Sequence, residues 1–274
     1  MKRLGIVEMI VTTVIWGSIP ILALLSDLPS PVFVFFRVFL TSLFLFPIVK
    51  KIRPKLLLKI TILLSGLSLA LNWIFLFYSI RLVQVSEAIL LYYTGPIFAT
   101  IIMHFLGERI NGVKLISILL AFGGIILILD PTEMSLNLGI YVALLSGLFY
   151  GILAVTSKLS TKLVSSKELV LYQTIIASAL TFPFLFAFKF SFTLYTAIIV
   201  LVAALVNTLL ALFLWYDALT KISVQLASVL SYLDPVFAII FAYIFLAQMP
   251  STMTIVGGIL IIVGGIISIF AETF

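Results

Sequence analysis

Residues 201–215 have the sequence LVAALVNTLLALFLW, in which Asn207 and Thr208 are the only side chains with a hydroxyl or amide group. Apolar residues cover every face of a helix here, whereas the strands of a membrane barrel alternate between apolar and polar residues. The same character extends over the whole chain, since 64% of its 274 residues are hydrophobic and 9% are charged. A soluble domain carries roughly 25% charged residues. The composition therefore excludes a soluble enzyme, a nucleic-acid binder and a disordered chain, and it predicts an integral membrane protein.

Apolar runs of the length needed to cross a bilayer, roughly 20 residues each, recur along the chain. Charged, proline-containing or turn-like stretches separate them. The predicted spans are 5–25, 31–49, 58–79, 86–106, 113–130, 137–157, 168–188, 193–215, 223–246 and 253–271. We therefore expect an all-α polytopic membrane protein with ten transmembrane helices and no soluble domain. No small-residue cleavage pattern follows the first run, so we expect it to be retained as a helix.

Lysine and arginine predict the orientation, because short cytoplasmic loops hold the excess of them. With the N-terminus inside, thirteen of the 16 basic residues fall on the cytoplasmic side, Arg81 and Lys189 fall outside, and Arg37 lies within a span. Ten spans then place the C-terminus in the cytoplasm as well. The net charge of +6 is spread along the loops and forms no basic face, so no nucleic-acid partner is expected.

The chain contains an internal repeat. Matching residues recur at a slowly increasing separation: Trp16-Gly17 and Tyr150-Gly151 at 134 residues, Phe46-Pro47 and Phe182-Pro183 at 136, PIFA from Pro96 and PVFA from Pro235 at 139, and GGII from Gly123 and from Gly264 at 141. We predict a first five-helix unit over residues 1–133 and a second over 134–274. Because five is odd, the second unit must enter the membrane inverted. Inverted repeats are typical of secondary transporters.

The sequence also resembles a known family through specific segments. These are WGS from Trp16, Arg37 in the second span, LGE ending at Glu108, ASVLSYLDPVFAIIFAYIFLAQ from Ala227, and the glycine pairs beginning at 123 and 264. Together they resemble the drug/metabolite transporter superfamily, and in particular its ten-helix EamA-like branch. The resemblance covers the whole chain. It implies an exporter of amino acids and related metabolites, and it favours an inward-pointing Arg37.

Two stripes of small or polar residues lie on the fourth and ninth predicted helices. At matched positions they are Ala88, Tyr92, Gly95 and Ala99, and Ala227, Ser231, Asp234 and Ala238. The spacing of i, i+4, i+7 and i+11 places each set on one helix face. Pro96 and Pro235 each remove a backbone hydrogen bond beside the stripe and are expected to break the helices. The stripes indicate either a cavity lining or close helix packing.

Asp234 and Arg37 are the charged residues that topology leaves unexplained. Asp234 lies near the middle of its span, where an ionised carboxylate costs at least about 2.5 kcal/mol. It is predicted to couple protons or bind a cargo amine, to pair with a basic residue, or to cap proline-disrupted backbone as a neutral acid. Arg37 either reaches the outer headgroups or points inward and binds a carboxylate. Its counterpart in the second half is the neutral Gln173.

Other candidates for contact with a substrate are amides and aromatic residues within the spans. Asn72 and Asn207 either bridge helices or bind a polar substrate. Most aromatic residues of membrane proteins belong to interfacial belts or to packing. Trp16, Tyr92, Tyr150 and Tyr232 are the better cavity candidates because they lie within spans and beside the repeat matches.

The absences in the sequence narrow the function. No cysteine and a single histidine exclude thiolate, haem and multi-histidine metal sites, and no GxxxxGK[ST] motif is present, so no cofactor is expected. We predict a secondary transporter in the cell membrane that moves an amino acid or similar metabolite, with the bilayer and a second copy of the chain as further partners. A broad multidrug or sugar/nucleotide-sugar carrier is the alternative cargo class. An intramembrane enzyme or receptor-like protein is the alternative of another class.

Overall fold

The chain is helical throughout the part that the structure describes. The computed structural model describes residues 2–49, 52–79, 82–83, 85–108, 110–129, 137–246, 249 and 251–273. Within these ranges no strand occurs. Four of the basic residues used for orientation, Lys50, Lys51, Arg81 and Arg109, lie outside them.

The helices follow one another through short connections. They are α1 (Lys2–Gly17), α2 (Ile19–Leu25), α3 (Ser30–Leu45), α4 (Ile60–Ser79), α5 (Val85–Tyr92), α6 (Gly95–Phe105), α7 (Gly112–Leu129), α8 (Leu138–Ser160), α9 (Ser166–Thr181), α10 (Phe184–Ala187), α11 (Leu194–Ala204), α12 (Ala211–Lys221), α13 (Val224–Ser231), α14 (Leu233–Leu246) and α15 (Thr252–Thr273). A 3-10 turn, Pro54–Leu58, precedes α4, and a π-helical segment, Leu205–Leu210, joins α11 to α12.

Each predicted span contains one helix or one interrupted helix. Among the described residues, seven such units are long and apolar enough to cross a membrane by length and composition. The α3 and α7 helices are shorter apolar helices. The all-helical membrane architecture is thus confirmed, while ten crossings and cytoplasmic termini stay predictions.

In the described ranges, three spans are interrupted two or three residues before a proline. The breaks lie at Tyr93-Thr94 before Pro96, at Tyr232 before Pro235, and at Ser18, between α1 and α2. Each break precedes its proline by two or three residues because proline fits the first turn of the following helix, where its missing N–H is not needed. The third break, before Pro20, was not predicted.

The stretch that includes Asn207 and Thr208 forms the π-helical segment. The Thr208 hydroxyl donates to the Ala203 carbonyl, five residues back, at 2.9 Å. Such segments are rare and frequently mark functional sites. Helix continues beyond it to Lys221, six residues past the predicted end of the span at Trp215.

Glycines at equivalent positions of the two halves each contact the opposite half at equivalent residues. A Cβ added at Gly17 would lie 2.8 Å from Cβ of Phe237, and one added at Gly151 would lie 2.7 Å from Cβ of Phe98. These pairs are related by the separations of 134 and 139 that the sequence repeat predicts. The first helix of each half therefore crosses the fourth helix of the other half at the same place.

A second pair of contacts repeats this exchange at the helix ends. A Cβ on Gly5 would lie 2.9 Å from Cβ of Lys221, and one on Gly139 would lie 2.8 Å from Cβ of Leu82. Lys221 and Leu82 are again 139 residues apart. The two halves thus share one interface, and the largest buried cluster draws on α1, α3, α4, α6, α8, α9, α12 and α13.

The last helix of each half, α7 and α15, pack against each other. A Cβ on Gly124 would lie 2.5 Å from the Gly257 carbonyl, and one on Gly264 would lie 2.8 Å from the Ser117 carbonyl. These contacts correspond at a separation of 140, one less than the GGII match. Gly123, the sequence partner of Gly264, would meet no atom within 4 Å. The equivalence of the contacts is therefore shifted by one residue from the GGII match, because Gly124 and Gly264 are the glycines that face the crossing.

Candidate functional site

The two intramembrane asparagines bridge helices of opposite halves. The Asn72 amide donates to the Ser146 carbonyl at 3.0 Å, and the Asn207 amide donates to the Ile15 carbonyl at 2.7 Å. Trp16 returns a bond from its indole N–H to the Asn207 carbonyl at 3.1 Å. Of the two roles left open for these asparagines, the structure shows bridging for both amide nitrogens. The Asn72 side chain is also a hydrogen-bonding neighbour of Tyr92.

Aromatic rings form a continuous row through the middle of the protein. Trp16 contacts Trp215 with ring centroids 5.6 Å apart, and Trp215 lies 6.3 Å from Tyr150. Tyr150 stacks on Tyr92 at 5.0 Å, and Tyr92 contacts Tyr93 at 5.2 Å. We call these five residues the aromatic row. Three of them, Trp16, Tyr92 and Tyr150, were predicted as cavity candidates, and the row brings them together.

A small cavity, with room for about one water molecule, lies beside the aromatic row. It is bounded by α6, α8, α12 and α13. Its lining residues are Gly95, Pro96, Ala99, Tyr150, Ala154, Trp215, Val224, Ala227, Ser228 and Ser231. Four of them come from the two predicted stripes, Gly95 and Ala99 from the first and Ala227 and Ser231 from the second. The stripes of the two halves therefore meet at one cavity.

Asp234 lies in the first turn of α14, directly after the break at Tyr232. The positive end of a helix dipole favours a carboxylate at this position. The Tyr93 hydroxyl is its hydrogen-bonding neighbour. No ion pair to Asp234 is found among the described residues, so the structure does not show the pairing alternative. Its place at a helix start fits both a cargo or proton site and a capping role.

Arg37 points into the protein and is 2% exposed. Its Nε donates to the Thr208 hydroxyl at 3.1 Å, and its guanidinium lies over the Trp73 ring, 4.6 Å from the centroid. In the described part of the chain, Nη2 is buried with no hydrogen-bond partner. The side chain does not reach the outer headgroups, and it retains donor capacity for a carboxylate.

Gln173, the repeat counterpart of Arg37, forms hydrogen bonds through both its amide nitrogen and its amide oxygen. The Gln173 amide donates to the Ser157 hydroxyl at 3.0 Å, and the Tyr216 hydroxyl donates to the Gln173 carbonyl oxygen. The amide nitrogen and the amide oxygen of Gln173 each therefore have a partner, and the side chain carries no charge. The carboxylate-binding capacity belongs to the first half alone.

The side chains of Ser231 and Tyr232 lie in different parts of the protein, although the two residues are adjacent in the sequence. Ser231 lines the cavity, where Tyr150 is its hydrogen-bonding neighbour, and its hydroxyl donates to the Ala227 carbonyl at 2.9 Å. Tyr232 is fully buried in an apolar cluster with residues of α7 and α15. Tyr232 was expected to be a cavity candidate, but the structure places it outside the cavity lining, since the break turns its ring toward α7 and α15.

The sequence interpretation missed Trp215, Tyr93 and Ser228. Trp215 was not among the predicted cavity residues, and it stands at the predicted end of its span. The π-helical segment and α12 carry the helix on to Lys221, so Trp215 lies inside the protein, 2% exposed. A longer apolar window over residues 194–221 would have indicated this position.

Ion pairs join the two halves at helix ends that the sequence predicts to be cytoplasmic. The Lys221 ammonium donates to the carboxylates of Glu8 and Asp217. Arg53 pairs with Glu168 at 2.8 Å. The hydrogen bond that Arg53 donates to Glu168 raises the pKa of the Arg53 guanidinium. The Lys221–Glu8 and Arg53–Glu168 pairs each connect a residue of the first half to one of the second.

Comparison with known proteins gives a family match over both halves. The model described as the EamA-like transporter family matches residues 3–130 and again residues 137–270. This is the branch that the sequence resembled, so that identification is confirmed. A crystal structure of another protein shares the fold, with a TM-score of 0.82 at 16% identity over 98% of this chain and 97% of the other.

Several relatives carry transporter names. An uncharacterized transporter of Bacillus subtilis, YxxF, is 26% identical over 96% of this chain and 88% of its own. The pseudopaline exporter CntI of Pseudomonas aeruginosa is 26% identical over 87% of this chain and 85% of its own. An S-adenosylmethionine uptake transporter of Rickettsia bellii is 23% identical over 87% of this chain and 83% of its own.

Proposed function

Because the chain belongs to the EamA-like transporter family, we propose that it is a secondary transporter of the cell membrane that exports amino acids or their derivatives by alternating access. In this proposal, ten transmembrane helices form two inverted units, residues 1–133 and 134–274, with both termini in the cytoplasm. The named relatives above are transporters rather than enzymes.

The observation that supports amino acids as the cargo is a pair of opposite charges that lie on either side of Tyr92 without contacting each other. Arg37 is buried with an open Nη2, and Asp234 lies at the start of α14 with no ion pair among the described residues. Tyr92 of the aromatic row interacts electrostatically with both side chains. An amino acid carries a carboxylate and an ammonium group, so it offers each side chain the partner that it lacks.

Alternating access is supported by the exchanged contacts of the two halves. The crossings at Gly17 and Gly151 place equivalent helices in equivalent surroundings. In an inverted repeat, the two halves can exchange conformations and open a central site to each side in turn. The breaks beside Pro96 and Pro235 border this centre and provide half-helix ends there.

Asp234 is the proposed proton carrier. It can hold a proton in one step of the cycle and a cargo ammonium in another, because a carboxylate at this depth is stable only when protonated or compensated. The positive end of α14 and the Tyr93 hydroxyl provide that compensation between steps.

A second candidate function is the transport of organic cations, a form of the multidrug alternative. The carboxyl of Asp234 lies among the phenol rings of Tyr92, Tyr93 and Tyr150. Aromatic faces beside an acid bind quaternary or aromatic cations. The same assay that tests amino acids separates the two cargo classes.

The deciding experiment is reconstitution of the purified protein into proteoliposomes with labelled cargo, with and without a pH gradient. The panel contains an amino acid, its amide, which lacks the carboxylate, the matching deaminated acid, and a quaternary ammonium compound. We expect saturable counterflow of the amino acid and weak counterflow of the two truncated compounds. Arg37→Gln, which installs the residue found at position 173, should remove the preference for the amino acid over its amide. Transport of the quaternary cation alone would overturn the amino-acid proposal in favour of the second candidate.

A homodimer is a further part of the proposal. The glycines of α7 and α15 face each other within one chain, so a second copy would contact the lipid-facing sides of these helices. Cross-linking in the membrane tests this arrangement.

A further inference from the structure

The π-helical segment, Leu205–Leu210, is a widened turn that binds the neighbouring helix α3. The Thr208 hydroxyl donates to the Ala203 carbonyl at 2.9 Å, five residues back, whereas a threonine of an ordinary helix donates three or four residues back. The Ala204 carbonyl accepts the Thr41 hydroxyl of α3 at 2.9 Å. The wider turn therefore bonds to α3 and also fixes the direction of the Thr208 hydroxyl.

The Thr208 hydroxyl is oriented as an acceptor toward Arg37. A hydroxyl group has one proton, and here that proton is donated to Ala203, so only lone pairs remain for a further hydrogen bond. Arg37 Nε donates to this oxygen at 3.1 Å, and both side chains are buried. The backbone of the widened turn thus sets the point at which the Nε group of Arg37 is held.

The bond at Nε leaves the far end of the guanidinium open. An arginine binds a carboxylate through two neighbouring N–H groups, either Nε with Nη2 or the two Nη groups. Because Thr208 occupies Nε, a two-bond contact can form only at the two Nη groups. Nη2 has no partner among the described residues, and Tyr92 of the aromatic row interacts electrostatically with this guanidinium. Thr208 therefore restricts which edge of Arg37 can receive a carboxylate.

The same segment is fixed to the break between α1 and α2. The Asn207 amide donates to the Ile15 carbonyl at 2.7 Å and to the Ser18 hydroxyl at 2.9 Å. Ser18 is the residue that separates α1 from α2. The Asn207 carbonyl in turn accepts the Trp16 indole N–H at 3.1 Å. Adjacent residues of one turn thus contact the α1–α2 break and Arg37, so hydrogen bonds join the break, the segment and the guanidinium.

We propose that Thr208 is a positioning residue for Arg37 and that the π-helical segment holds this arginine in a fixed place relative to the α1–α2 break. Thr208 acts on the cargo only through Arg37, because it sets the edge at which the guanidinium receives the carboxylate. Asn207 keeps the segment in place. This inference rests on the proposed function, in which Arg37 binds the carboxylate of the cargo.

The test measures transport of an amino acid and of its amide in proteoliposomes, because the amide lacks the carboxylate that Arg37 binds in this proposal. Thr208→Val keeps the shape of the side chain and removes the hydroxyl. We expect KM for the amino acid to rise and its kcat/KM relative to the amide to fall at least about threefold, as for the loss of one hydrogen bond. Thr208→Ser retains the hydroxyl and should restore the wild-type ratio.

Thr174→Val, on α9, is the matched control. Thr174 is as deeply buried as Thr208, and its hydroxyl donates to the Val170 carbonyl of its own helix at 2.8 Å. This variant should leave the ratio of amino acid to amide unchanged. Arg37→Gln provides a second reference, because Thr208→Val should have no further effect on the ratio once the arginine is absent.

The positioning role is overturned if Thr208→Val leaves the ratio unchanged, if Thr208→Ser does not restore it, or if Thr174→Val lowers it as much. It is also overturned if Thr208→Val lowers the ratio equally with and without Arg37, since the effect would then not pass through the arginine. A wild-type protein that carries the amino acid no better than its amide would instead overturn the proposed role of Arg37 and, with it, the positioning role.

Discussion

At the scale of single residues, Asp234 shows how a fold makes an expensive group tolerable. A carboxylate within a membrane span costs at least about 2.5 kcal/mol. Here the chain breaks at Tyr232, and Asp234 occupies the first turn of the next helix, where the positive end of the helix dipole favours a carboxylate. Arg37 is stabilised by side-chain contacts and not by a helix end. It is held by Thr208 and by the Trp73 ring, with one nitrogen left open.

Asp234→Asn should abolish transport or remove its response to a pH gradient, while the protein still inserts into the membrane. Asparagine keeps the shape of the side chain but neither ionises nor binds an ammonium group as a counter-charge. Counterflow and pH-driven flux in proteoliposomes measure the effect.

Asp27→Asn is the matched control for this substitution. Asp27 is exposed and has a φ of 54°, a conformation that asparagine also adopts readily, so wild-type flux is expected. Wild-type flux with unchanged pH dependence in Asp234→Asn would contradict the role given to this carboxyl group.

At the scale of elements, helix crossings depend on which glycine faces the neighbour. Gly123 and Gly124 are adjacent on α7, yet only Gly124 lies against the α15 backbone, where an added Cβ would be 2.5 Å from the Gly257 carbonyl. Backbone cannot move aside as a flexible side chain can. The crossing of α7 and α15 therefore tolerates a methyl group at one position and not at the next.

Gly124→Ala should lower the apparent Tm in detergent by on the order of 5 °C, since overpacking costs about 1–3 kcal/mol. Gly123→Ala should leave the Tm unchanged or raise it slightly, because alanine has the higher helix propensity. Thermal unfolding of the two variants side by side measures the difference. Equal shifts would show that the crossing does not lie at Gly124.

At the scale of the whole molecule, equivalent contacts between the two halves predict which residues lie on which face of the membrane. Leu82 packs on Gly139, and its repeat equivalent Lys221 packs on Gly5. In an inverted repeat these equivalent sites lie on opposite faces of the membrane. Lys221 also forms an ion pair with Glu8 that joins the halves, and a second one with Asp217 within α12.

Single cysteines in this naturally cysteine-free chain should reveal that inversion. Leu82→Cys should react with a membrane-impermeant thiol reagent added outside intact cells. Thr220→Cys, exposed beside Lys221, should react only after the cells are opened. Labelling of both positions from the same side would contradict the inverted arrangement. The wild-type chain, with no thiol, gives the background.

The sequence by itself determined that this protein lies in a membrane and that it consists of two repeated units. The chain has too few charged residues to cover a water-exposed surface, so it must form membrane helices. Pro96 and Pro235 placed the helix breaks to within three residues, and the repeat separations of 134 and 139 recur between the equivalent crossings at Gly17 and Gly151. These properties follow from backbone chemistry and local pattern, which do not depend on distant contacts.

Only the tertiary structure decided which side chains meet. Helical periodicity places Tyr232 beside Ser231 on neighbouring faces, but the break between α13 and α14 sends one side chain to the α7 and α15 cluster and leaves the other in the cavity. Likewise, the π-helical segment brings Trp215 inside and positions Thr208 to hold Arg37. The physical reason is that an apolar helix has no face marked for the interior, so the packing of its neighbours, rather than its own pattern, selects what lines the site.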